Sequence, residues 1–231
     1  LLALEGGDVE VHARRMLEEA RTAARIGHAA IVRTLDFGLT RLGDPFLVME
    51  LLHGEDLADL LARERRLPAL AAVSTLLPIA HGLATAHEAG IIHRDLKPEN
   101  IFLVHHEEGG LVAKLLDFGL AKFYDPTGGD AAQARLTREG ALFGTPAYMS
   151  PEQAKGQGEV DHRADLWALG CIVYECLTGR TVWNVDQGVA MILAQIAGAP
   201  LPRPSRYRSD LPLGFDGWFF RALDRDATKR F

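Results

Sequence analysis

The chain has 231 residues, of which 48% are hydrophobic and 24% are charged, so it can bury one or two compact cores and is not a disordered protein. Its 25 basic and 31 acidic residues give a formal net charge of -6, which excludes the overall basic surplus of a nucleic-acid-binding domain. The two cysteines, Cys171 and Cys176, point away from each other on a predicted helix and cannot build a disulfide framework. We therefore expect a reducing, cytoplasmic location.

The two ends of the sequence favour a longer protein. Leu1 is not a methionine and no signal-peptide pattern follows it, and the sequence stops at Phe231 directly after a helical stretch. We expect the chain to be a piece of a parent protein, and whether that parent carries further domains or a membrane anchor is an open question.

The first elements in chain order are a helix and two strands. Apolar residues recur at steps of three and four between Val11 and Ile26, and Gly27 follows them, so this segment is predicted to be an amphipathic helix. Two apolar runs, Ile31 to Phe37 and Phe46 to Leu52, are predicted to be strands joined by a turn.

The rest of the chain is predicted to be mainly helical. A helical pattern begins at Leu57, and the uncharged stretch from Leu67 to His87 has 21 residues, the length of a membrane span. Prolines and polar residues dilute that stretch, so we predict a buried helix and no membrane span. The further predicted helices are Asp165 to Leu177, which is apolar nearly all round as in a fully buried helix, Gln187 to Ala197, and Phe215 to Leu223.

The densest polar cluster runs from His93 to Asn100, directly after the long helix, and Pro98 makes it a loop. Two apolar strands follow, Ile101 to Val104 and Val112 to Leu116, with turn residues between them. Because a hairpin folds the chain back on itself, we expect Asp117 to lie near Asn100.

This placement suits phosphoryl transfer. A carboxylate and an amide oxygen side by side, from Asp117 and Asn100, are ligands that suit Mg²⁺. On the same loop, Asp95 can orient an acceptor hydroxyl and Lys97 can neutralise a phosphoryl oxygen. The long, weakly periodic stretch from Asp117 to Glu152 is typical of a functional loop.

These residues resemble the eukaryotic-type protein kinases, in their serine/threonine branch and with a bacterial character. The resemblance covers nearly all of the chain. Residues 93–100 resemble the catalytic loop, Asp117-Phe118-Gly119 resembles the metal-binding turn, and Gly144-Thr145-Pro146 with Ser150-Pro151-Glu152 resembles the end of the activation segment. Glu19 also resembles the glutamate of the small-lobe helix, and the segment from Met49 through Leu52 resembles the gatekeeper and hinge. Asp165 with Gly170 resembles the start of the central helix.

The resemblance implies an α+β, two-lobed protein-kinase fold that binds ATP and Mg²⁺ and acts on serine or threonine of protein substrates. Residues 1–52 are expected to form the remainder of the small lobe and the hinge, and residues 53–231 the large helical lobe, truncated at its end. For the nucleotide site, the resemblance implies that the hinge backbone at Glu50 and Leu52 binds adenine. It also implies that Leu57 and Phe102 pack on the adenine ring and that Asp56 binds the ribose.

The resemblance also implies roles around the catalytic loop. Asp95 is expected to orient the hydroxyl, Lys97 to contact the γ-phosphate, and Asn100 with Asp117 to hold Mg²⁺. The expected structural residues are His93 packed under Phe118, Asp165 accepting N–H groups of the loop, and a Glu152–Arg230 ion pair. The expected regulatory residues are Glu19, Arg94, Thr145, which in the family bonds the catalytic aspartate and lysine, and Thr137 as a phosphorylation site that pairs with Arg94.

The sequence also departs from the family pattern. The glycine-rich loop and the strand lysine are absent, the final helix is missing, and Asp226-Ala227 replaces the usual Asp-Pro. We expect the parent to carry the loop and the lysine, and the 231 residues alone to be weak or inactive. Two rivals remain open at this stage: a pseudokinase that acts as a scaffold or nucleotide sensor, which the intact catalytic set disfavours, and a small-molecule phosphotransferase of the aminoglycoside type, which residues 144–152 disfavour.

Overall fold

A computed structural model describes residues 26–41, 45–105, 110–116, 146–156 and 160–231. Strands β1 (Thr34–Leu39) and β2 (Pro45–Met49) form a two-stranded antiparallel sheet. The predicted helix between residues 11 and 26 lies almost entirely outside the described residues. Both predicted strands are present, although β1 begins three residues later than the apolar run suggests.

A second sheet has three strands. It contains β3 (Gly54–Asp56), β4 (Ile101–His105) and β5 (Leu111–Leu115), with β4 in the centre and all pairs antiparallel. A Cβ atom on Gly54 would lie 1.9 Å from the carbonyl oxygen of Leu103, so only glycine allows β3 to approach β4 this closely. Strands β4 and β5 form the hairpin that is predicted from the apolar runs after Asn100.

The two sheets are joined through β5. The backbone N–H of Val32 donates to the carbonyl of Leu115 at 2.9 Å, and the N–H of Leu115 donates to the carbonyl of Ala30 at 2.8 Å. The segment before β1 is therefore fixed to the strand that leads to Asp117.

Six helices complete the described part of the chain. They are α1 (Leu57–Glu64), α2 (Ala69–Glu88), α3 (Pro151–Lys155), α4 (Arg163–Thr178), α5 (Val189–Gly198) and α6 (Phe215–Ala222).

Helix α4 is the centre of the helical part. It places Ala168, Ile172 and Cys176 in one core, shared with α2 and the second sheet, and Trp167 and Tyr174 in another, shared with α5 and α6. A Cβ atom on Gly170 would lie 2.4 Å from a methyl carbon of Leu223, so this glycine lets α6 pack closely on α4. The prediction of a helix buried on all sides is confirmed, and the helix is apolar nearly all round because it packs into two cores.

Helix α2 is long and apolar enough to cross a membrane by length and composition. In the structure, one face of α2 packs into the first core through Ala72, Leu76, Ile79, Leu83 and Ala86. This agrees with the interpretation of the uncharged stretch as a helix of a folded domain.

The predicted α+β class is confirmed, and two elements escaped the sequence analysis. Strand β3 has only three residues, Gly-Glu-Asp, and shows no apolar alternation. Helix α3 has five residues, and its signal is a capping box in which the Ser150 side chain accepts from the N–H of Gln153.

Candidate active site

The catalytic loop brings three predicted site residues together. It ends in a short 3₁₀ turn, Pro98–Asn100, in which the ring of Pro98 fits the first position because no N–H is required there. The Nζ atom of Lys97 lies 3.1 Å from Oδ2 of Asp95. The Nδ2 atom of Asn100 donates to the backbone carbonyl of Asp95 at 2.7 Å and lies 3.5 Å from its Oδ2 atom.

The orientation of Asn100 suits a cation ligand. Its side-chain nitrogen is used by Asp95, and its Oδ1 atom has no hydrogen-bond donor among the residues that the structure describes. The residue is 8% exposed. An amide oxygen is a ligand type that Mg²⁺ accepts, so Asn100 fits the predicted metal.

The second predicted metal ligand, Asp117, lies outside the described residues, but the residue before it is placed. The N–H of Leu116 donates to the carbonyl of Asn100 at 2.9 Å. The hairpin thus returns the chain to Asn100 as predicted, up to the residue that precedes Asp117.

Asp165, at the start of α4, holds the backbone of the catalytic loop. Its side chain is 1% exposed. Its Oδ2 atom accepts from the N–H of His93 at 2.9 Å, and its Oδ1 atom accepts from the N–H of Arg94 at 2.9 Å. A third contact joins Oδ2 to Nε2 of His87 at 2.7 Å. The sequence analysis did not single out His87, whose signal is only its position near the end of α2.

His93, the first residue of the loop, has no exposed surface. Its Nδ1 atom accepts from the N–H of Asp95 at 3.3 Å, so the proton is on Nε2, which contacts the carbonyl of Leu116 at 2.8 Å. The ring therefore bridges the catalytic loop and the strand end that precedes Asp117. Its predicted contact with Phe118 concerns a residue outside the described ones.

Arg94 has a backbone φ of 65°, in the left-handed region that non-glycine residues rarely occupy. Its carbonyl accepts from Nε2 of Gln153 at 2.8 Å, which links the loop to α3. Within the described part of the chain, no hydrogen-bond or ionic partner faces the Arg94 guanidinium. The sequence analysis did not identify Gln153, because its partner lies 59 positions away.

The predicted pair between Glu152 and Arg230 is bidentate, with distances of 2.7 and 2.8 Å. Arg230 also donates to the carbonyls of Asp224 and Arg163 and lies over the ring of Trp167. Burial alone would raise the pKa of Glu152, but the hydrogen bonds from Arg230 and the backbone outweigh it and hold the pKa below 4.5. The end of the activation-segment motif is therefore fixed to the helical core.

A second, partly buried contact, not predicted from the sequence, joins Tyr148 to α4. The Tyr148 hydroxyl donates to Oε2 of Glu175 at 2.5 Å. Burial raises the pKa of Glu175, the Tyr148 bond lowers it, and the charge of Glu99 raises it further. This contact fixes the 3₁₀ turn Pro146–Tyr148 directly before α3.

Two of the predicted nucleotide residues are neighbours, and one prediction needs correction. Phe102 and Asp56 are paired across β4 and β3, and β2 ends just before Glu50 and Leu52. Asp56 Oδ1 accepts from the N–H of Asp59 at 2.8 Å and caps α1. The prediction that Leu57 packs on the adenine ring is wrong, because its side chain is fully buried in the core and presents no surface to a ligand.

Several predicted residues lie outside the described ones. They are Glu19, Asp117, Phe118, Thr137 and Thr145.

Comparison with known proteins identifies the family. The family model for the protein kinase domain matches residues 5–211. The chain belongs to the protein kinase family. The resemblance drawn from the catalytic loop, the metal-binding turn and the activation-segment motif is thus confirmed.

The relatives are bacterial proteins named as serine/threonine-protein kinases. The chain is 39% identical to Serine/threonine-protein kinase pkn3 of Myxococcus xanthus over 94% of the chain and 39% of that protein. It is 39% identical to Serine/threonine-protein kinase PknL of Mycobacterium tuberculosis over 97% of the chain and 53% of that protein. The chain therefore spans about half or less of the length of these relatives.

The Arg230 contacts predict a large loss of stability on substitution. In an Arg230→Ala variant, Glu152 would keep a partly buried charge without its partner, which costs roughly 3 to 5 kcal/mol of unfolding free energy. Lys229→Ala is the matched control, because the Lys229–Asp226 pair next to it is exposed, and no measurable change is expected there. Urea denaturation at pH 7 measures both variants.

The same pair makes stability depend on pH. Because the pKa of Glu152 is depressed in the folded state, its stabilising contribution is present above about pH 4.5 and is lost as the pH falls through the folded-state value. The gap in unfolding free energy between the Arg230→Ala variant and the unmutated protein should therefore shrink in acid. Equal stability of the two proteins at pH 7 would contradict the pairing.

Proposed function

We propose that the protein is a serine/threonine protein kinase that transfers the γ-phosphoryl group of ATP to hydroxyl groups of protein substrates. The observation that supports this most strongly is the constellation of Asp95, Lys97 and Asn100, held within hydrogen-bond contact on one rigid loop. Phosphoryl transfer depends mainly on positioning and electrostatics, which a fixed set of this kind supplies.

Each residue has a separate part in the proposed mechanism. The Asp95 carboxylate orients the substrate hydroxyl and accepts its proton, and Lys97 stabilises negative charge on the transferred group. Asn100, through Oδ1, and Asp117 would hold Mg²⁺, which neutralises phosphate charge when bound. The contact between Lys97 and Asp95 keeps the cation next to the oxygen that receives the proton.

The proposed nucleotide site lies between the two sheets. The backbone of the hinge at Glu50 and Leu52 would bind the adenine edge, and Phe102 would pack on the ring, without Leu57. Asp56 would bind the ribose through Oδ2, because within the described residues the cap of α1 uses only its Oδ1 atom. In this proposal residues 1–52 belong to the small lobe and residues 53–231 to the large one.

The proposed location is the cytoplasm. Both cysteines are buried and unpaired, as expected in a reducing compartment.

A pseudokinase would have no need for Asp95, Lys97 and Asn100 in contact, so the structure favours an active enzyme over a scaffold.

Replacing Asp95 tests the proposed function. Asp95→Asn removes the proton acceptor but keeps the shape of the side chain, and we expect turnover to fall by about a hundredfold or more. The matched control is Asp186→Asn on an exposed loop, which should keep full activity. Transfer of labelled phosphate from ATP to a serine- or threonine-containing peptide by the full-length protein measures both, and parental turnover in the Asp95→Asn variant would overturn the assignment.

We further propose that a phosphate on Thr137 activates the protein. The guanidinium of Arg94 has no hydrogen-bond or ionic partner within the described residues, and a phosphate with nearly two negative charges would pair with it. Glu139, two residues further along, stands where many kinases of this family have a second phosphorylated threonine and would supply part of the negative charge permanently, so a Thr137→Ala variant should lose activity only in part. Mass spectrometry of the active protein should find the phosphate, whereas its absence together with full activity of Thr137→Ala would refute the proposal.

A further inference from the structure

An ion pair joins the hinge to the strand that leads to the metal-binding turn. The Nζ atom of Lys114, on β5, lies 2.5 Å from Oε1 of Glu50, the first residue after β2. The two residues are 64 positions apart in the sequence. None of the roles described so far uses Lys114 or the side chain of Glu50.

The same carboxylate oxygen also binds the segment before β1. Oε1 of Glu50 accepts from the backbone N–H of Arg33 at 2.9 Å, and the N–H of Glu50 donates to the carbonyl of Arg33 at 3.0 Å. Glu50 is therefore held by three contacts from two directions, and the segment at Arg33 is itself tied to β5 through Val32 and Leu115.

Neighbouring groups stabilise the negative charge of the Glu50 carboxylate. Its side chain is 22% exposed and that of Lys114 is 18% exposed, so water screens the pair only in part. Burial alone would raise the pKa of Glu50, but the hydrogen bonds from Lys114 and from the Arg33 backbone outweigh it and lower the pKa. The Glu50 carboxylate is thus ionised at neutral pH.

Lys114 also lies next to the proposed adenine site. It is paired across β5 and β4 with Phe102, which is paired in turn with Asp56 on β3. Residues directly opposite each other in antiparallel strands point to the same face of the sheet. Lys114 therefore reaches the hinge from the same face that carries Phe102.

We propose that Lys114 is a positioning residue for the nucleotide: through Glu50, it fixes the hinge backbone relative to the sheet that carries Phe102. This inference rests on the proposed kinase function. If the pair holds the hinge where adenine binds, then breaking it weakens ATP binding and leaves the groups at Asp95 in place. A loss of this kind raises KM for ATP and leaves kcat nearly unchanged.

The test compares variants of the full-length protein. Lys114→Met should raise KM for ATP and the dissociation constant for a fluorescent ATP analogue by about three- to tenfold, within what one partly exposed ion pair supports, with kcat within about twofold. Lys114→Arg, which keeps the cation, should restore most of the affinity. Arg63→Met is the matched control, because it breaks an ion pair with Glu55 on β3 that does not reach the hinge, and it should leave KM unchanged.

Coupling between the two residues separates positioning from a general loss of stability. Glu50→Gln keeps an acceptor for the Arg33 N–H but removes the charge, so it should raise KM as Lys114→Met does, and the double variant should be no worse than either single variant. Unchanged KM in Lys114→Met, or fully additive effects in the double variant, would overturn the inference. If the unmutated protein transferred no phosphate while binding the ATP analogue normally, the proposed function would fail and the binding measurements would still decide the role of Lys114.

Discussion

The site depends on one buried carboxylate. Asp165 accepts the N–H groups of His93 and Arg94 and contacts His87, so the backbone of the catalytic loop is fixed to the start of α4. These bonds offset an unfavourable backbone conformation, since the left-handed φ of Arg94 costs about 1 to 3 kcal/mol in a residue other than glycine. The bend directly before Asp95 therefore exists because a buried acceptor holds it.

The rest of the site is built outward from this bend. His93 joins the loop to the end of β5, and the carbonyl of Arg94 receives Gln153 from α3. Helix α3 is fixed in turn by the pair between Glu152 and Arg230. Helix α4 contributes to both cores, so the same rigid element supports the catalytic loop and the end of the activation-segment motif.

The sequence predicts the features that are local in the chain. The helices α2 and α4, the hairpin after Asn100 and the chemistry of residues 93–100 follow from periodicity, turn residues and side-chain type. Contacts between distant segments leave no such pattern: neither the partner of Gln153 nor that of Lys114 can be inferred from spacing. The prediction for Leu57 is wrong because an apolar residue beside a predicted ligand site gives the same sequence pattern whether its side chain faces the ligand or the core. Only the packing in the folded structure distinguishes the two.

The most direct test of this account is hydrogen exchange at the amides of His93 and Arg94, measured with the phosphotransfer activity of an Asp165→Asn variant. Asparagine keeps the size of the side chain but has one acceptor oxygen in place of two. The account predicts that at least one of the two amides loses protection while amides in the core of α4 keep theirs, and that kcat falls by about tenfold or more. Unchanged protection at both amides together with unchanged kcat would contradict it.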